Sequence, residues 1–141
     1  MVEMNPSMAQ QIAQAAMNFQ TQQTGHSPES VAVVLNGDTL VVTLHGALTK
    51  VEKTLAQSAE GASKVQEFHR QLFNAASEPL RQVIKKITGA DVRESTSEIE
   101  TAAGTVIQAF ASGTMVQVFL LAKKVPPSNW TEDRSGNPPA V

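Results

Sequence analysis

The stretch SVAVVLNGDTLVVTLHGALTKVEKTLA, residues 30–56, decides the fold class of this 141-residue chain. Two apolar runs flank Asn36-Gly37, and after Gly46 the spacing of apolar residues changes from a period of two to a helical period. Asn-Gly supplies the positive φ angles that a tight type I′ turn needs. The stretch therefore predicts a β-hairpin over residues 30–45, followed by a helix.

The length of the hairpin loop determines which residues of the two strands face each other. A two-residue Asn36-Gly37 loop pairs Leu35 with Asp38, and this is the register that we predict. A four-residue loop would also keep the apolar faces matched, whereas a three-residue loop would turn the second strand over. In the predicted register the shared apolar face consists of Val31, Val33, Leu35, Leu40, Val42 and Leu44.

Helix signals lie on both sides of the hairpin. Asn5-Pro6 is typical of a helix start and predicts an N-terminal helix. Thr49 followed by Glu52 is a capping-box pattern, so a second helix should begin there. Gly61 is expected to break or bend the chain after that helix.

A long amphipathic helix is predicted from residue 62 to a stop at Thr88-Gly89. Pro79 lies inside it and should kink it near residues 75–77. The apolar stripe of this helix consists of Val65, Phe68, Leu72, Ala76, Leu80, Val83, Ile84 and Ile87.

The remaining segments predict three strands and a tail. Residues 91–97 are a candidate strand, and residues 105–111 and 114–122 form a second hairpin around Ser112-Gly113. Residues 126–141 are turn-rich and predict a flexible tail. Residues 1–125 thus form a single α+β domain with two layers. Its mostly antiparallel sheet, two hairpins plus one strand, packs on a long kinked helix, with an N-terminal helix in addition.

Composition excludes several classes of function. The net charge of −2 gives no general attraction to nucleic acid or anionic lipid, and the absence of cysteine excludes disulfides and thiolate chemistry. The N-terminus lacks the apolar core of a secretory signal. Residues 106–122 are apolar, but polar residues and a turn favour two strands over a membrane span. We expect a soluble, cytoplasmic protein without nucleic-acid partners or membrane insertion.

The polar residues form no pattern of a catalytic or metal site. His26, His45 and His69 do not lie at ligand spacing, so we expect no metal, no cofactor and no enzymatic activity. Glu94, Glu98 and Glu100 share one strand face, and such a row of charges is typical of a solvated sheet edge.

The long helix carries charged side chains at i,i+3 spacing. Glu67 with Arg70 and Glu78 with Arg81 are expected to form surface ion pairs. A row of Arg70, Arg81 and Lys85 could meet an acidic partner or a phosphate, although solvated ion pairs are the simpler interpretation.

The last hairpin is the best candidate for an interaction surface. A two-residue Ser112-Gly113 loop makes both of its faces apolar, although a half-exposed antiparallel sheet should have only one such face. One face can pack under the long helix; the other must meet the N-terminal helix, a second copy or a partner. The predicted interaction surface consists of Val106, Gln108, Phe110, Met115, Gln117 and Phe119, and Ile107, Ala109, Val116, Val118 and Leu120 form the opposite face.

Two segments carry a family resemblance. The stretches SPESVAVVLNGDTLVVTLHGALTKVEKTLA, residues 27–56, and EPLRQVIKKITGADV, residues 78–92, resemble the MpsC-like proteins, and the resemblance covers residues 25–122. That family takes its name from a membrane-potential-generating system linked to cation transport and bicarbonate supply. The resemblance implies a small soluble accessory of a membrane complex. His26-Ser27 replaces the Arg-Gly of the family, and Ser77-Glu78 stands where an arginine is expected before Pro79, so two positive charges are lost.

Two functional hypotheses remain. The first is a non-enzymatic interaction module, either a homodimer or higher oligomer, or an accessory of a membrane ion or bicarbonate transport system. The second is a small-molecule-binding regulatory domain that uses the groove between the long helix and the sheet near His69 and Arg70.

Overall fold

The computed structural model describes residues 7–99 and 113–126. The elements in chain order are α1 (Met8–Thr24), β1 (Ser30–Asn36), β2 (Thr39–His45), α2 (Lys50–Leu55), α3 (Ala59–Thr88), β3 (Val92–Ile99) and β4 (Met115–Leu121). The strands form an antiparallel sheet, and α1 and α3 pack on one of its faces. The predicted α+β fold with an N-terminal helix and one long helix is confirmed.

Helix α1 begins at a capping box. The Ser7 hydroxyl accepts a hydrogen bond from the backbone N–H of Gln10, and the Gln10 side chain accepts one from the N–H of Ser7. Two donors of the first turn are thereby satisfied, and the helix starts at Met8. The predicted start at Asn5-Pro6 was wrong; both residues lie outside the described ranges.

The hairpin of β1 and β2 has the predicted strands but a different register. Leu35 pairs with Leu40 rather than with Asp38, as in the four-residue-loop alternative. The turn is centred on Gly37-Asp38, and Gly37 carries the positive φ of 67°. Because the shift is two residues, the apolar face is unchanged, and Leu40 is buried as expected.

The break between α2 and α3 lies at residues 56–58, and Gly61 is not the breaker. Gly61 sits in the first turn of α3, where its N–H donates to the Ser58 hydroxyl at 3.0 Å. A Cβ at Gly61 would lie 1.8 Å from the carbonyl oxygen of Leu55. The glycine is therefore needed for the close approach of the end of α2 to the start of α3.

The buried stripe of α3 is rotated from the predicted one. Phe68 is 49% exposed, whereas His69 is 2% exposed and Phe73 is buried. Gly89 ends the helix with φ 79°, as predicted. Pro79 lies within the continuous helix, and a kink there stays a prediction. The buried residues of α3 are Gly61, Ala62, Val65, His69, Phe73, Ala76, Leu80, Ile84 and Thr88.

The sheet has the order β1-β2-β4-β3, with β4 in its interior. Phe119 of β4 lies opposite Leu40 of β2 on one side and opposite Ser95 of β3 on the other. Because both edges of β4 are occupied, the predicted pairing of Met115 with Phe110 was wrong. Residues 105–111, which were to form that partner strand, lie outside the described ranges.

The core lies between the helices and the inner face of the sheet. The rings of Phe73 and Phe119 are 5.9 Å apart at a tilt of 50°. After β4, Val125 is still buried and donates its N–H to the carbonyl of Gly37 at 3.3 Å. The predicted tail lies outside the described residues except for Pro126, so the domain boundary stays a prediction.

Candidate functional site

The residues of the predicted interaction surface do not form a surface. Met115, Gln117 and Phe119 alternate along β4 on its inner face and are at most 5% exposed. They are buried because α1 and α3 cover this face of the sheet. The prediction was wrong for these three residues; Val106, Gln108 and Phe110 lie outside the described ranges.

The opposite face of the sheet carries one apolar cross-strand row between two mixed rows, in which Thr43 lies between Ala32 and Val116, and Thr39 between Asn36 and Leu120. Val34, Val41 and Val118 form a cross-strand row through β1, β2 and β4. Val34 is 60% exposed, whereas Val41 and Val118 are half-buried. In residues 7–99 and 113–126, both long helices pack on the other side of the sheet. We call the side chains of Ala32, Val34, Val41, Val116, Val118 and Leu120 the outer face.

The two edges of the sheet differ in their chemistry. The β3 edge carries exposed Arg93 and Glu94 and a register shift between Val92 and Glu94. Charges and bulges of this kind keep an edge from pairing with another strand. Exposed Glu94 agrees with the predicted solvated edge, while the side chains of Glu98 and Glu100 lie outside the description. Strand β1, residues SVAVVLN, has no charge, no proline and an unbroken register with β2.

A hydrogen-bonded pair joins the long helix to the capping box of α2. His69 Nε2 lies 2.6 Å from Glu52 Oε2, while Glu52 Oε1 accepts from the N–H of Thr49 at 2.9 Å. Burial opposes the charge and acts to raise the pKa of Glu52. The backbone hydrogen bond from Thr49, the nearby His69 and the side-chain hydrogen bonds outweigh burial, so the pKa lies below its usual value.

The predicted ligand groove exists only in part. A cavity of about 20 Å³ lies between α1, α3 and β4, and His69 lines it. Arg70 does not: its guanidinium is bound to Glu67 at 2.8 Å on the surface of α3, as the i,i+3 pattern predicted. The other residues of the cavity wall are Ala16, Phe19, Gln20, Gln23, Leu72, Phe73, Ala76, Leu80, Met115 and Gln117.

Three buried polar atoms around this cavity have no hydrogen-bond partner in the described chain. They are Gln20 Nε2, His69 Nδ1 and Gln117 Oε1. An ionised carboxylate only accepts hydrogen bonds, so His69 Nε2 must carry the proton shared with Glu52. In the tautomer that donates from Nε2, Nδ1 is an acceptor, and the cavity wall then presents two acceptors and one amide donor.

Arg81 and Lys85, the other two cations considered for a phosphate, have structural partners. The Arg81 guanidinium donates to the carbonyl of Val92 and to the Ser95 hydroxyl, so the predicted pair with Glu78 was wrong. Lys85 lies 3.0 Å from Asp91. These contacts fasten α3 to the start of β3 and occupy the cations that were considered for a phosphate.

The histidines do not converge. His26 Nε2 lies 2.9 Å from the carbonyl of Gly46, His45 is exposed at the end of β2, and His69 is buried on α3. Among the residues that the structure describes, no group of three or more His, Asp or Glu side chains is placed to hold a metal ion.

No helix within residues 7–99 and 113–126 combines the length and the hydropathy that a membrane-spanning helix needs.

Sequence comparison adds a family and one curated relative. The family model described as "Na+-translocating membrane potential-generating system (MpsC)" matches residues 5–113. The uncharacterized protein YbcI of Bacillus subtilis (strain 168) is 25% identical over 104 residues, which are 74% of this chain and 84% of that protein. No solved structure shows a significant match to this chain.

Proposed function

Because the chain belongs to the MpsC family of the Na+-translocating membrane potential-generating system, we propose that it is a non-enzymatic interaction module, an accessory of a membrane ion-transport complex. The proposal places it in the cytoplasm, where it docks on a protein of that complex. The observation that carries it is the outer face, whose central row of valines lies on the side of the sheet away from α1 and α3.

The arrangement of polar groups supports a non-enzymatic role. Glu52 is engaged in a helix cap and with His69, and Arg81 and Lys85 hold α3 to the start of β3. A catalytic site needs polar groups that converge where a substrate can reach them. The polar groups named here instead satisfy one another, which is typical of a scaffold.

The outer face has the chemistry of a protein-binding patch. Its centre is formed by Val41 and Val118, which are aligned across β2 and β4, and Glu94 lies opposite Leu120 at the β3 side. Apolar patches with a polar rim mark protein interaction sites more often than isolated exposed side chains do. A partner that fits is an apolar protein surface with a basic group placed to meet Glu94.

Affinity capture from the native host tests this proposal. Tagged protein, cross-linked mildly before lysis, should capture subunits of a membrane ion-transport complex, identified by mass spectrometry. Val118→Lys puts a charge at the centre of the outer face and should abolish that capture, and Glu94→Lys should weaken it. Val51→Lys is the matched control, because Val51 is 69% exposed on α2, away from the sheet.

Two results would contradict the docking role. One is capture by the unmodified protein without any membrane transport subunit. The other is undiminished capture by a Val118→Lys variant whose circular dichroism and melting curve show that it is folded. Loss of capture in Val51→Lys as well would also count against the outer face as the docking surface.

A further inference from the structure

Strand β1 is an edge strand without the features that normally prevent strand pairing. Its seven residues contain no charge and no proline, and each pairs with β2 in an unbroken register. Within the described chain, β2 is its neighbour in the sheet and its other side pairs with no strand. An edge strand of this kind is a template for another strand.

The other edge strand of the sheet, β3, has the protective features that β1 lacks. At the opposite end of the sheet, exposed Arg93 and Glu94 and the register shift at Val92 protect the edge. A protein that is protected against strand pairing at β3 but not at β1 is expected to have its β1 edge covered when it is assembled with its partner. The chemistry of β1 identifies what covers it.

The sequence of β1 is complementary to itself in the antiparallel direction. If two copies meet about a two-fold axis at Val33, Val33 lies opposite Val33 of the second copy. Val31 then lies opposite Leu35 of the second copy, and Ala32 opposite its Val34. At the ends, the polar Ser30 and Asn36 face each other. Every opposed pair therefore joins residues of like polarity, which is what a two-fold interface between identical strands requires.

The surfaces beside the edge are apolar on both sides of the sheet. On the outer side, Ala32 is exposed and Val34 is 60% exposed, the largest fraction among the exposed large apolar side chains of the sheet. On the inner side, an open groove that adjoins the strand is lined by Val31 of β1 and by Ala13 and Met17 of α1, with Gln10 and Gln14 of α1 also in its wall. Leu35 of a second copy, placed opposite Val31, would extend into this groove. Strand pairing would thus remove apolar surface from water on both faces.

We propose that two copies of this chain pair through β1, antiparallel about Val33, to form one continuous sheet across a homodimer. The partner is thus a second copy and the contact is the sheet edge. The inference rests on the proposed function in that it names one partner of the interaction module. It uses a different surface from the centre of the outer face, so the two can fail separately.

Light scattering coupled to size-exclusion chromatography of the purified full chain is the first test. The unmodified protein should have twice the 15.0 kDa mass of one chain. Val34→Lys places a charge on the exposed side of the edge, a natural means of blocking strand pairing, and should shift the mass to one chain. Val51→Lys makes the same change at an exposed valine of α2 and should leave the dimer intact.

A cysteine cross-link tests the register independently of stability. The chain contains no cysteine, so Val33→Cys introduces a single thiol. Directly opposed residues of paired strands have Cβ atoms about 4.5–5.5 Å apart, within about 1 Å of the 3.5–4.5 Å typical of a disulfide. Mild oxidation should therefore link Val33→Cys into a covalent dimer, whereas Val51→Cys should stay uncross-linked.

The outcomes separate this inference from the proposed function. A monomeric unmodified protein at all concentrations overturns the dimer, while capture of a membrane complex would still stand. A dimer that persists in Val34→Lys and does not cross-link through Val33→Cys overturns the β1 interface. A Val34→Lys monomer that retains the native circular dichroism spectrum, together with a cross-linked Val33→Cys dimer, supports it even if no membrane subunit is captured.

Discussion

His69 on α3 and Glu52 in the first turn of α2 form a 2.6 Å hydrogen-bonded pair across the break between the two helices. The same carboxylate caps α2 through the N–H of Thr49. One side chain therefore contributes to the cap of a short helix and binds Nε2 of a histidine that is only 2% exposed. The two partners are 17 positions apart in sequence, and the break at residues 56–58 lies between them.

Replacement of Glu52 should be costly. Glu52→Ala removes one of the two capping-box hydrogen bonds of α2 and leaves the buried His69 without its partner, and together these losses should lower the free energy of unfolding by about 2–4 kcal/mol. Glu52→Gln keeps an acceptor and should cost less. Urea unfolding followed by circular dichroism measures both. Glu60→Ala removes an exposed pair with Lys64 and serves as the control, with a small expected change. A Glu52→Ala variant as stable as this control would show that the pair contributes little.

The depressed pKa of Glu52 makes its contribution depend on pH in one direction. The unfolded chain takes up the proton near the usual value of 4.5, whereas the folded chain does so at a lower pH. The stabilisation is therefore complete above the unfolded value and is lost as the pH falls through the folded pKa. The difference in unfolding free energy between the unmodified protein and Glu52→Gln should shrink below about pH 4.5. Urea titrations across the acid range test this, and a difference that grows on acidification would contradict the assignment.

Gly61→Ala should destabilise the protein, although the same change in an exposed helix usually stabilises it. The added Cβ would lie 1.8 Å from the Leu55 carbonyl oxygen, so α2 would have to move. We expect a loss of about 1–3 kcal/mol, the usual cost of overpacking. Ser63→Ala, at an exposed position of the same helix, is the control. A neutral or stabilising Gly61→Ala would mean that the α2–α3 junction is loose.

The polar cavity should hold one ordered water molecule. Its volume of about 20 Å³ is enough for a single water, and its wall presents Gln20 Nε2 as a donor and two acceptors, His69 Nδ1 and Gln117 Oε1. Such a water accepts one hydrogen bond and donates two. NMR cross-relaxation between water and the Gln20 side-chain amide should reveal it, and Gln117→Leu should remove the signal. Gln22→Leu, at an exposed position of α1, should leave it unchanged. Absence of the signal in the unmodified protein would mean that the side chains close the cavity themselves.

Local patterns were reliable where neighbouring residues decide the structure. The Thr49–Glu52 capping box, the helix stop at Gly89 and the strands on either side of the Asn-Gly turn are all observed. Each depends on hydrogen bonds or backbone angles within a few residues. Even the hairpin register was wrong by two residues, because both loop lengths keep the same apolar face.

The candidate site was less predictable because it depends on distant partners. An apolar stripe allowed several rotations of α3, and packing against α1 and β4 selected the one that buries His69 and exposes Phe68. The pairing of His69 with Glu52 had no sequence signal beyond the capping box. The sequence did contain a signal for the unpaired edge, because residues 30–36 carry no charge. That signal could be interpreted only once the strand order showed that β1 lies at an edge of the sheet.

By itself, the sequence determined the fold class, the Thr49 and Gly89 helix caps and the inward face of the first hairpin, because these follow from periodicity and short-range hydrogen bonds. Only the tertiary structure decided that β4 lies between β2 and β3. Alternation specifies which side chains of a strand share a face, but it does not specify which strands lie at its edges. The placement of β4 buried Met115, Gln117 and Phe119 and left β1 as the bare edge. The proposed edge contact therefore lies at the first strand, because strand order is set by long-range packing.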